Sequence, residues 1–438
     1  MRNYKLWRLF NFRKELKKIK REKNLQNNIP VLSGTLIGFS GKRPVLIPDE
    51  AKHVFVCGTT GSGKTVAVSN FIKNAIDNDL PALIIDGKGD TGNGSIIDII
   101  HRLNWHGKKK VYVVNLSEPS QSDKYNPFRN ASPVIAKDML INMTDWSEEH
   151  YKLNAERYIQ RILLMLELAD IKLSFQKIVK CIPPDNFNEL SAMLLKKELI
   201  SKDEHLDNIE LAKTSGKIVQ SSTARFSAIA ENEVGKHIFS EDGIDISQAL
   251  QENAIILFVL NPLIYPELSP AFGRLVLIDA KKAIGELFRT RIPRTFFIMD
   301  EISTYANTGL TDLVNKSRSA GVTCVLATQS LSDLDFACGS AFKEQIIENC
   351  NNYLVMRQNS GINAEHWANI LGTRSTLEVT YQLQQKGLNT AETGFGSAKR
   401  VREFFYHPDD IKTLQTGQGI FLSRDGNYHN KIKVNKPF

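Results

Sequence analysis

The residues best suited to chemistry lie in one short motif. Gly58 to Thr65 reads GTTGSGKT, a glycine-rich loop that ends in a lysine and a threonine. Backbone N–H groups of such a loop can surround a chain of phosphates, the lysine can reach the β- and γ-phosphates, and the threonine hydroxyl can ligate Mg²⁺. The motif therefore predicts a site for a nucleoside triphosphate. Its candidate residues are Gly58, Thr59, Thr60, Gly61, Ser62, Gly63, Lys64 and Thr65.

A strand and a helix must flank this motif if it is to hold phosphates. Residues 53–57, HVFVC, form an apolar run that is typical of a buried strand. After the motif, apolar residues recur at helical spacing, at Val68, Phe71, Ile72, Ala75 and Ile76. The order of strand, glycine loop and helix distinguishes a P-loop from a chance glycine-rich turn. The amino end of the new helix adds positive potential at the same place.

Two adjacent carboxylates, Asp300 and Glu301, close the apolar run RTFFIMDE at 294–301. Downstream of a P-loop, an acid at the end of a buried strand is expected to hold Mg²⁺, which makes Asp300 and Thr65 the candidate metal ligands. A second acid beside it can orient or deprotonate the attacking water. Because adjacent strand residues point to opposite sides, we expect Glu301 to have this separate task. An exposed acidic turn is the alternative, and the P-loop disfavours it.

Two further polar residues are candidates for catalysis. Gln329 ends the next apolar run, where a neutral amide could sense the γ-phosphate or hold the water. Arg318 lies eleven residues earlier, on a predicted helix that reads LTDLVNKSRSAG. Some nucleotide-hydrolysing proteins use an arginine from a neighbouring subunit to stabilise the transition state. When the residues alone are considered, a solvated surface charge is the better explanation of Arg318.

The remaining apolar runs predict the sheet that positions these residues. They are Leu80–Asp86, Lys109–Leu116, Asn253–Leu260 and Tyr353–Met356. Strands that alternate with helices predict an α/β fold with a mostly parallel sheet, which binds ligands at the carboxyl ends of its strands. Asp86, Lys88 and Asp90 are expected on this ligand side, although the pattern assigns them no role.

The alternation stops between residues 127 and 237, where an all-α insertion is predicted. A helical stripe of Ile159, Ile162, Leu163 and Leu166 supports it. Asn186, with Glu189 three residues later, predicts the start of a helix that continues to Leu199. The predicted domains are a basic amphipathic tail at 1–30, a nucleotide-binding domain at 31–126 and 238–438, and the all-α insertion at 127–237.

The composition is that of an ordinary globular protein. The chain has 438 residues, of which 42% are hydrophobic and 24% charged. No apolar run reaches the roughly 20 residues that a membrane-spanning helix needs. The five cysteines are scattered and form no C-x-x-C pair, so we expect reduced thiols in a cytoplasmic protein.

The positive charge of the chain is concentrated at its start. Residues 1–23 contain ten Lys or Arg and two Glu, which accounts for the whole net charge of +8. Trp, Phe and Leu lie among these cations, a pattern that suits a helix on an anionic membrane surface. Binding to nucleic acid or to a partner subunit suits the same pattern. A solvated basic helix that packs on its own domain is the further alternative.

Several motifs together resemble one family. They are GTTGSGKT, DGKGD at 86–90, the pair Asn126–Pro127 before the insertion, and FIMDE with RSAG and ATQS. Over roughly residues 31–430 the chain resembles the TraG/TraD-like coupling ATPases of type IV secretion and conjugation, relatives of the FtsK and HerA motors. The resemblance implies a RecA-like ATPase core that uses ATP and Mg²⁺ and assembles as a homo-hexameric ring. By motif position, Arg318 matches the arginine that acts in trans and Gln329 matches the glutamine of motif III.

The function implied by the resemblance is ATP-driven DNA translocation. Such a protein delivers single-stranded DNA, with an attached relaxase, to the channel of a secretion system at the cytoplasmic face of the membrane. Two departures stand out, because family members usually begin with membrane-spanning helices and commonly have proline after the first aspartate of the 86–90 motif. The alternatives are a soluble HerA/FtsK-like translocase in repair or defence and a substrate-docking adaptor without ATP turnover. A nucleotide kinase is disfavoured, since the sequence shows no acceptor-site signature.

Overall fold

The computed structural model describes residues 33–48, 50, 52–290, 294–386, 389–425 and 428–438. The tail predicted at 1–30 lies outside these residues. The described residues form two compact units. Those of the first unit come from Met1–Pro48, Val56–Lys64 and Asn351–Asn435, and those of the second from Asp49–Phe55, Thr65–Cys350 and Lys436–Phe438.

The described residues form several strands, of which those around the predicted site follow the apolar runs of the sequence. In chain order they are β1 (Gly34–Ser40), β2 (Arg43–Pro48), β3 (Val54–Cys57), β4 (Ala82–Asp86), β5 (Val111–Asn115), β6 (Ile255–Val259), β7 (Thr295–Asp300), β8 (Val322–Thr328), β9 (Asn352–Met356), β10 (Thr373–Lys386), β11 (Asn389–Phe404), β12 (Gln418–Ser423) and β13 (Tyr428–Val434). Each strand predicted around the site is present, with its ends shifted by no more than two residues.

The helices of the described residues lie between these strands. They are α1 (Lys64–Asp77), α2 (Ile96–Leu103), α3 (Pro133–Asn142), α4 (Glu149–Leu168), α5 (Phe175–Lys180), α6 (Pro184–Lys196), α7 (Lys202–Leu211), α8 (Lys217–Ser222), α9 (Ala224–Glu231), α10 (Glu233–Ile238), α11 (Ile246–Gln251), α12 (Leu268–Thr290), α13 (Thr308–Ser317), α14 (Leu331–Cys338), α15 (Ser340–Asn349), α16 (Gly361–Leu371) and α17 (Pro408–Lys412). In the part of the chain that the structure describes, no helix is long and apolar enough to cross a membrane.

The second unit contains a parallel sheet in the order β8-β7-β4-β6-β5. Its strands β4, β6, β7 and β8 are buried along their whole length, which explains why they read as continuous apolar runs. Asp86 and Asp300 are paired in register at the carboxyl ends of β4 and β7. The predicted mostly parallel α/β sheet is confirmed, and its carboxyl edge carries the acidic residues.

The first unit is built on antiparallel strands, in the order β2-β1-β13-β12-β9. A tight turn joins β1 and β2, with Gly41 in the left-handed region at φ 62°. Strands β10 and β11 pair with each other as a separate antiparallel hairpin.

Helices α3 to α10 of the second unit, together with the residues that flank them, bury a cluster of aromatic rings. Phe175 stacks between Phe128 and Phe239, with ring centroids 6.2 and 4.7 Å away. Tyr158 stacks on Phe187 at 4.5 Å. The predicted stripe of Ile159, Ile162, Leu163 and Leu166 is buried on α4. The region is therefore helical, while the predicted domain boundaries at 127 and 237 stay a prediction.

The expected helix start at Asn186 is wrong. Helix α6 begins at Pro184, because the fixed φ of proline suits the first helical turn. The side-chain amide of Asn186 instead donates a hydrogen bond to the Lys180 carbonyl oxygen at 2.6 Å. The helix also ends at Lys196, before the expected Leu199. A reciprocal capping box is present at the next helix, where Ser201 caps α7 together with Glu204.

Candidate functional site

The glycine loop of the first unit has the backbone shape that its sequence predicts. Gly61 and Gly63 lie in the left-handed region at φ 73° and 106°, which glycine adopts without steric cost. A Cβ at Gly58 would approach Met356 Cβ to 2.6 Å, so this position accepts only glycine without rearrangement. Lys64 is buried, and its ammonium donates a hydrogen bond to the Gly58 carbonyl oxygen at 2.6 Å. The cation therefore lies against the loop that is expected to surround the phosphates.

Backbone bonds within the first unit fix this loop. Thr59 N–H donates to the Arg357 carbonyl at 2.9 Å, and Gly417 N–H donates to the Ser62 carbonyl at 2.8 Å. The Thr416 hydroxyl donates to the Gly61 carbonyl at 3.0 Å. Sequence reasoning missed these supports, because backbone atoms of any residue type can supply most of them.

The carboxyl edge of the second unit brings Asp300 close to a second buried acid, Asp86. Burial, followed by the negative charge of Asp300, raises the pKa of Asp86 to about 7. The N–H groups of Lys88 and Gly89 donate to Asp86 Oδ1 at 3.0 and 3.2 Å and oppose this rise. Nearby, the Lys88 ammonium donates a hydrogen bond to Asp90 Oδ2 at 2.8 Å. This bond is the largest cause of the raised pKa of Lys88. The structure thus places the 86–90 motif beside Asp300.

Glu301 lies just beyond the end of β7, in a left-handed conformation at φ 49° and ψ 54°. The turn of the backbone, and not the alternation of strand residues, therefore gives its carboxylate a direction different from that of Asp300. The Ser303 hydroxyl donates to Glu301 Oε1 at 3.2 Å, and Gln329 Nε2 donates to Oε2 at 3.0 Å. Glu301 and Gln329 are thus brought together at the carboxyl edge, although Ser303 was not among the predicted site residues.

The loop after Asp86 and the loop after Asp300 are joined by hydrogen bonds. Gly87 N–H donates to the Asp300 carbonyl at 3.1 Å, and the Thr304 hydroxyl donates to the Gly87 carbonyl at 3.3 Å. Buried Tyr305 also donates its hydroxyl to the Asp300 carbonyl, at 3.2 Å. A Cβ at Gly87 would come within 2.8 Å of the Asp300 carbonyl oxygen. The two loops therefore form one closely fitted group.

Arg318 lies at the opposite edge of the same sheet. It is exposed, it follows α13, and it precedes the amino end of β8, whereas Gln329 follows the carboxyl end. At about 3.3 Å per residue, the seven residues of β8 separate these two ends by roughly 20 Å. Within one chain, Arg318 is therefore not brought together with Glu301 and Gln329.

A buried histidine fixes the chain on both sides of Arg318. His53 Nε2–H donates to the Val314 carbonyl at 2.8 Å, and Nδ1 accepts a bond from Cys324 N–H at 3.1 Å. Burial is the main cause that lowers the pKa of His53 to about 4, so the ring is neutral at pH 7. The one sequence signal for this role was a polar residue at the start of an apolar run.

These features together define the class of P-loop nucleoside triphosphatases. A phosphate loop opens a helix, and an acid pair closes a strand of a parallel sheet. The chain belongs to a family described as the type IV secretion-system coupling protein DNA-binding domain, whose model matches residues 39–93 and 127–435. This membership confirms the resemblance drawn from the motifs.

Solved structures support the same fold. The unbound bacterial conjugative coupling protein TrwBΔN70 matches with a TM-score of 0.65 at 16% identity, over 96% of this chain and 92% of that chain. TrwB in complex with ADP and Mg²⁺ matches with a TM-score of 0.63 at 17% identity, over the same shares of the two chains. VirB4 of Thermoanaerobacter pseudethanolicus matches at 0.56 and 13%, over 93% and 98%. The predicted RecA-like core with an all-α insertion is confirmed.

Two curated relatives are uncharacterized proteins of Mycoplasma pneumoniae. One is 31% identical over 104 residues, which cover 24% of this chain and 69% of that protein. The other is 49% identical over 39 residues, which cover 9% of this chain and 32% of that protein.

Proposed function

We propose that this chain is an ATP-driven DNA translocase, the coupling protein that delivers DNA and attached protein to a type IV secretion or conjugation channel. The observation that carries the proposal is the family match, which includes both the phosphate loop and the helical segment from residue 127. TrwB, which shares the fold, has been solved with ADP and Mg²⁺ and with a non-hydrolysable ATP analogue. The match favours the coupling protein over a soluble translocase in repair or defence.

The residues of the phosphate loop suit a triphosphate and its metal. Gly58 to Lys64 offer backbone N–H groups and one buried ammonium, and these donors stabilise phosphate charge. Thr65 and Asp300 supply the hydroxyl and carboxylate oxygens that Mg²⁺ prefers. Bound Mg²⁺ would neutralise charge that develops on the phosphates.

Water attack is assigned to Glu301 as general base. Its carboxylate is held by Ser303 and Gln329, so one oxygen can be directed at a water molecule without a search through rotamers. The raised backbone energy of its left-handed conformation is typical of functional positions. Gln329 contacts this carboxylate directly, so it can couple the base to the state of the nucleotide.

Arg318 acts on a neighbouring subunit in this proposal, because it lies at the far edge of its own sheet. The assembly is a homo-hexameric ring in which the arginine stabilises the transition state of the next subunit.

The nucleotide-binding domain is assigned to 31–126 and 238–438 and the insertion domain to 127–237. The ring works at the cytoplasmic face of the membrane, where the tail at 1–30 binds the membrane surface or a channel component. The substrate of the ring is single-stranded DNA with a relaxase.

Two single substitutions test the enzymatic part of the proposal. Lys64→Ala removes the charged phosphate donor, so ATP binding is expected to be lost. Glu301→Gln keeps the shape but removes the base, so ATP should bind normally while turnover falls on the order of 10²-fold or more. Nucleotide binding by fluorescence and hydrolysis by phosphate release separate the two effects. Wild-type turnover in Glu301→Gln would remove the assignment of the base.

A further inference from the structure

A cavity in the helical segment has the chemistry of a nucleic-acid site. Its volume is about 460 Å³, within the range of ligand pockets, and it is open to solvent. The residues that line it include Trp146, Tyr151, Lys217, Ser221, Ser222 and Arg225. They supply two aromatic side chains, two cations and two serine hydroxyl groups. Among the residues that the structure describes, no carboxylate lines this cavity.

Trp146 and Arg225 are held in place by backbone oxygens. The indole Nε1–H donates to the Ile141 carbonyl at 2.7 Å, and Arg225 Nη1 donates to the Asp145 carbonyl at 2.6 Å. The guanidinium carbon lies 5.6 Å from the centroid of the indole ring. Within the described ranges, neither Arg225 nor Lys217 forms an ion pair. Their charges are therefore available to an anionic ligand.

A π-helical turn positions the other side of the cavity. Residues Ala212–Gly216 form this turn directly before α8, and such turns are frequent at functional sites. A Cβ at Gly216 would approach Pro184 Cγ to 2.8 Å and the Tyr158 hydroxyl to 3.1 Å. This close contact fixes the start of α8. Lys217 and Ser221, four residues apart, then share one face of the helix and line the cavity.

We propose that this cavity binds a segment of single-stranded DNA. A base stacks on the aromatic pair while Lys217 and Arg225 hold adjacent phosphates, and the serine hydroxyls donate hydrogen bonds to phosphate oxygens. Bases within a duplex are already stacked on each other, so the rings select an unpaired strand. The site deepens the proposed function and rests on it, since it gives the translocated strand a contact on the helical segment.

The cavity supplies local positive charge. Outside residues 1–23 the chain is formally neutral, so a local pair of cations is what attracts phosphate to this part of the helical segment. Stacking contributes about 1–3 kcal/mol per base when the aromatic residue is truncated, and this contribution does not depend on salt. The phosphate contacts do depend on salt, with a slope of about −0.7 per contact for a single strand. The two contributions can therefore be measured separately.

The test is the binding of a fluorescein-labelled oligo(dT) strand to the full chain, followed by anisotropy at several salt concentrations. The variant Lys217→Gln/Arg225→Gln is expected to bind at least tenfold more weakly at low salt, with a salt slope that is smaller by about 1.4. Trp146→Leu should weaken binding about tenfold at every salt concentration and leave the slope unchanged. Basal ATP hydrolysis without DNA should be the same in all variants.

The matched control is Lys196→Gln/Lys236→Gln, which removes two exposed cations from the same helical segment outside the cavity. Equal losses in the control and in the cavity variant would overturn the site, as would unchanged binding in the cavity variants. Displacement of the DNA by a phosphoserine peptide at lower concentration than unlabelled oligo(dT) would reassign the cavity to a protein partner. A wild-type chain that binds no single strand would instead remove the proposed function itself.

Discussion

At the scale of single residues, His53 and Glu301 show how the fold sets chemistry that their types do not reveal. Glu301 adopts a left-handed conformation that costs a non-glycine residue on the order of 1 kcal/mol. This conformation turns the carboxylate away from the strand and toward Ser303 and Gln329. His53 is a buried neutral ring whose two nitrogens bond the end of α13 and the start of β8. Both roles follow from surroundings that the sequence does not specify locally.

The lowered pKa of His53 predicts a pH dependence of stability. The folded value is about 4 and the ordinary value is 6.5, so between these pH values the unfolded state binds more protons. The contribution of the neutral ring is complete above pH 6.5 and is lost as the pH falls toward 4, a change of about 3 kcal/mol. Urea unfolding of the wild type and of His53→Gln at pH 4.5 to 7.5 measures this difference.

Comparison with His53→Gln separates the effect of His53 from that of Asp86, whose raised pKa changes stability with pH in the opposite direction. Asp86 binds a proton more readily in the folded state, so its contribution to stability falls as the pH rises toward 7. It is present in both proteins and cancels in the difference. Parallel stability curves for the wild type and His53→Gln would show that the histidine does not titrate as described.

At the scale of elements, the base of the helical segment is joined to helix α12 by a buried ionic cluster. Lys282 bonds Asp279 at 2.9 Å and Asp245 at 3.0 Å, and all three side chains are at most 3% exposed. Lys282 also donates to the Arg129 carbonyl, and Tyr125 donates its hydroxyl to Asp279 at 2.8 Å. Arg129 lies before helices α3 to α10 and Asp245 lies after them. Lys282 therefore holds both chain segments that flank these helices to α12.

Removal of this lysine is predicted to be strongly destabilising. Lys282→Ala leaves two buried carboxylates without their cation, which should cost about 3 kcal/mol or more in the free energy of unfolding. The neighbouring variant Lys281→Ala breaks an exposed pair with Asp312 and should cost less than about 1 kcal/mol. Chemical unfolding of the two variants measures the contrast. Similar losses for both would contradict the assigned role of the cluster.

The elements differ in how well the sequence predicts them. The parallel strands were predicted because burial on both faces makes them continuous apolar runs. The phosphate loop and the pair Asp300–Glu301 were predicted because their chemistry requires particular residue types at fixed spacing. The start of α6 was missed, because Asn186 and Glu189 imitate a capping pair, whereas Asn186 already lies in the first turn of a helix that Pro184 begins. Contacts such as Ser303 with Glu301 depend on a local turn that no spacing rule encodes.

At the scale of the whole molecule, the role proposed for Arg318 requires an assembly of several chains. Arg318 is exposed and lies roughly 20 Å from Gln329 along β8, so it cannot complete the site of its own chain. An arginine that acts in trans contributes on the order of 10³-fold or more to the rate. Arg318→Ala should then bind ATP normally and hydrolyse it poorly, even as an assembled ring.

Mixing two inactive variants tests the shared site. Lys64→Ala lacks nucleotide binding but keeps Arg318, and Arg318→Ala keeps nucleotide binding but lacks the arginine. Mixed rings should contain interfaces in which an intact Lys64 faces an intact neighbouring Arg318, so hydrolysis should partly recover. Rings shown to be mixed that recover no activity would remove the trans assignment. A fully active Arg318→Ala chain would remove Arg318 from the site altogether.

Movement along DNA distinguishes a translocase from an ATPase that DNA merely stimulates. Single strands that carry biotin at the 3′ or the 5′ end are bound to streptavidin. The release of streptavidin from the strand is followed in the presence of free biotin, which prevents rebinding. We expect ATP-dependent release from one of the two ends by the wild type, and none by Glu301→Gln, which still binds ATP and DNA. Hydrolysis that DNA stimulates but that releases streptavidin from neither end would contradict the assignment of this chain as a translocase.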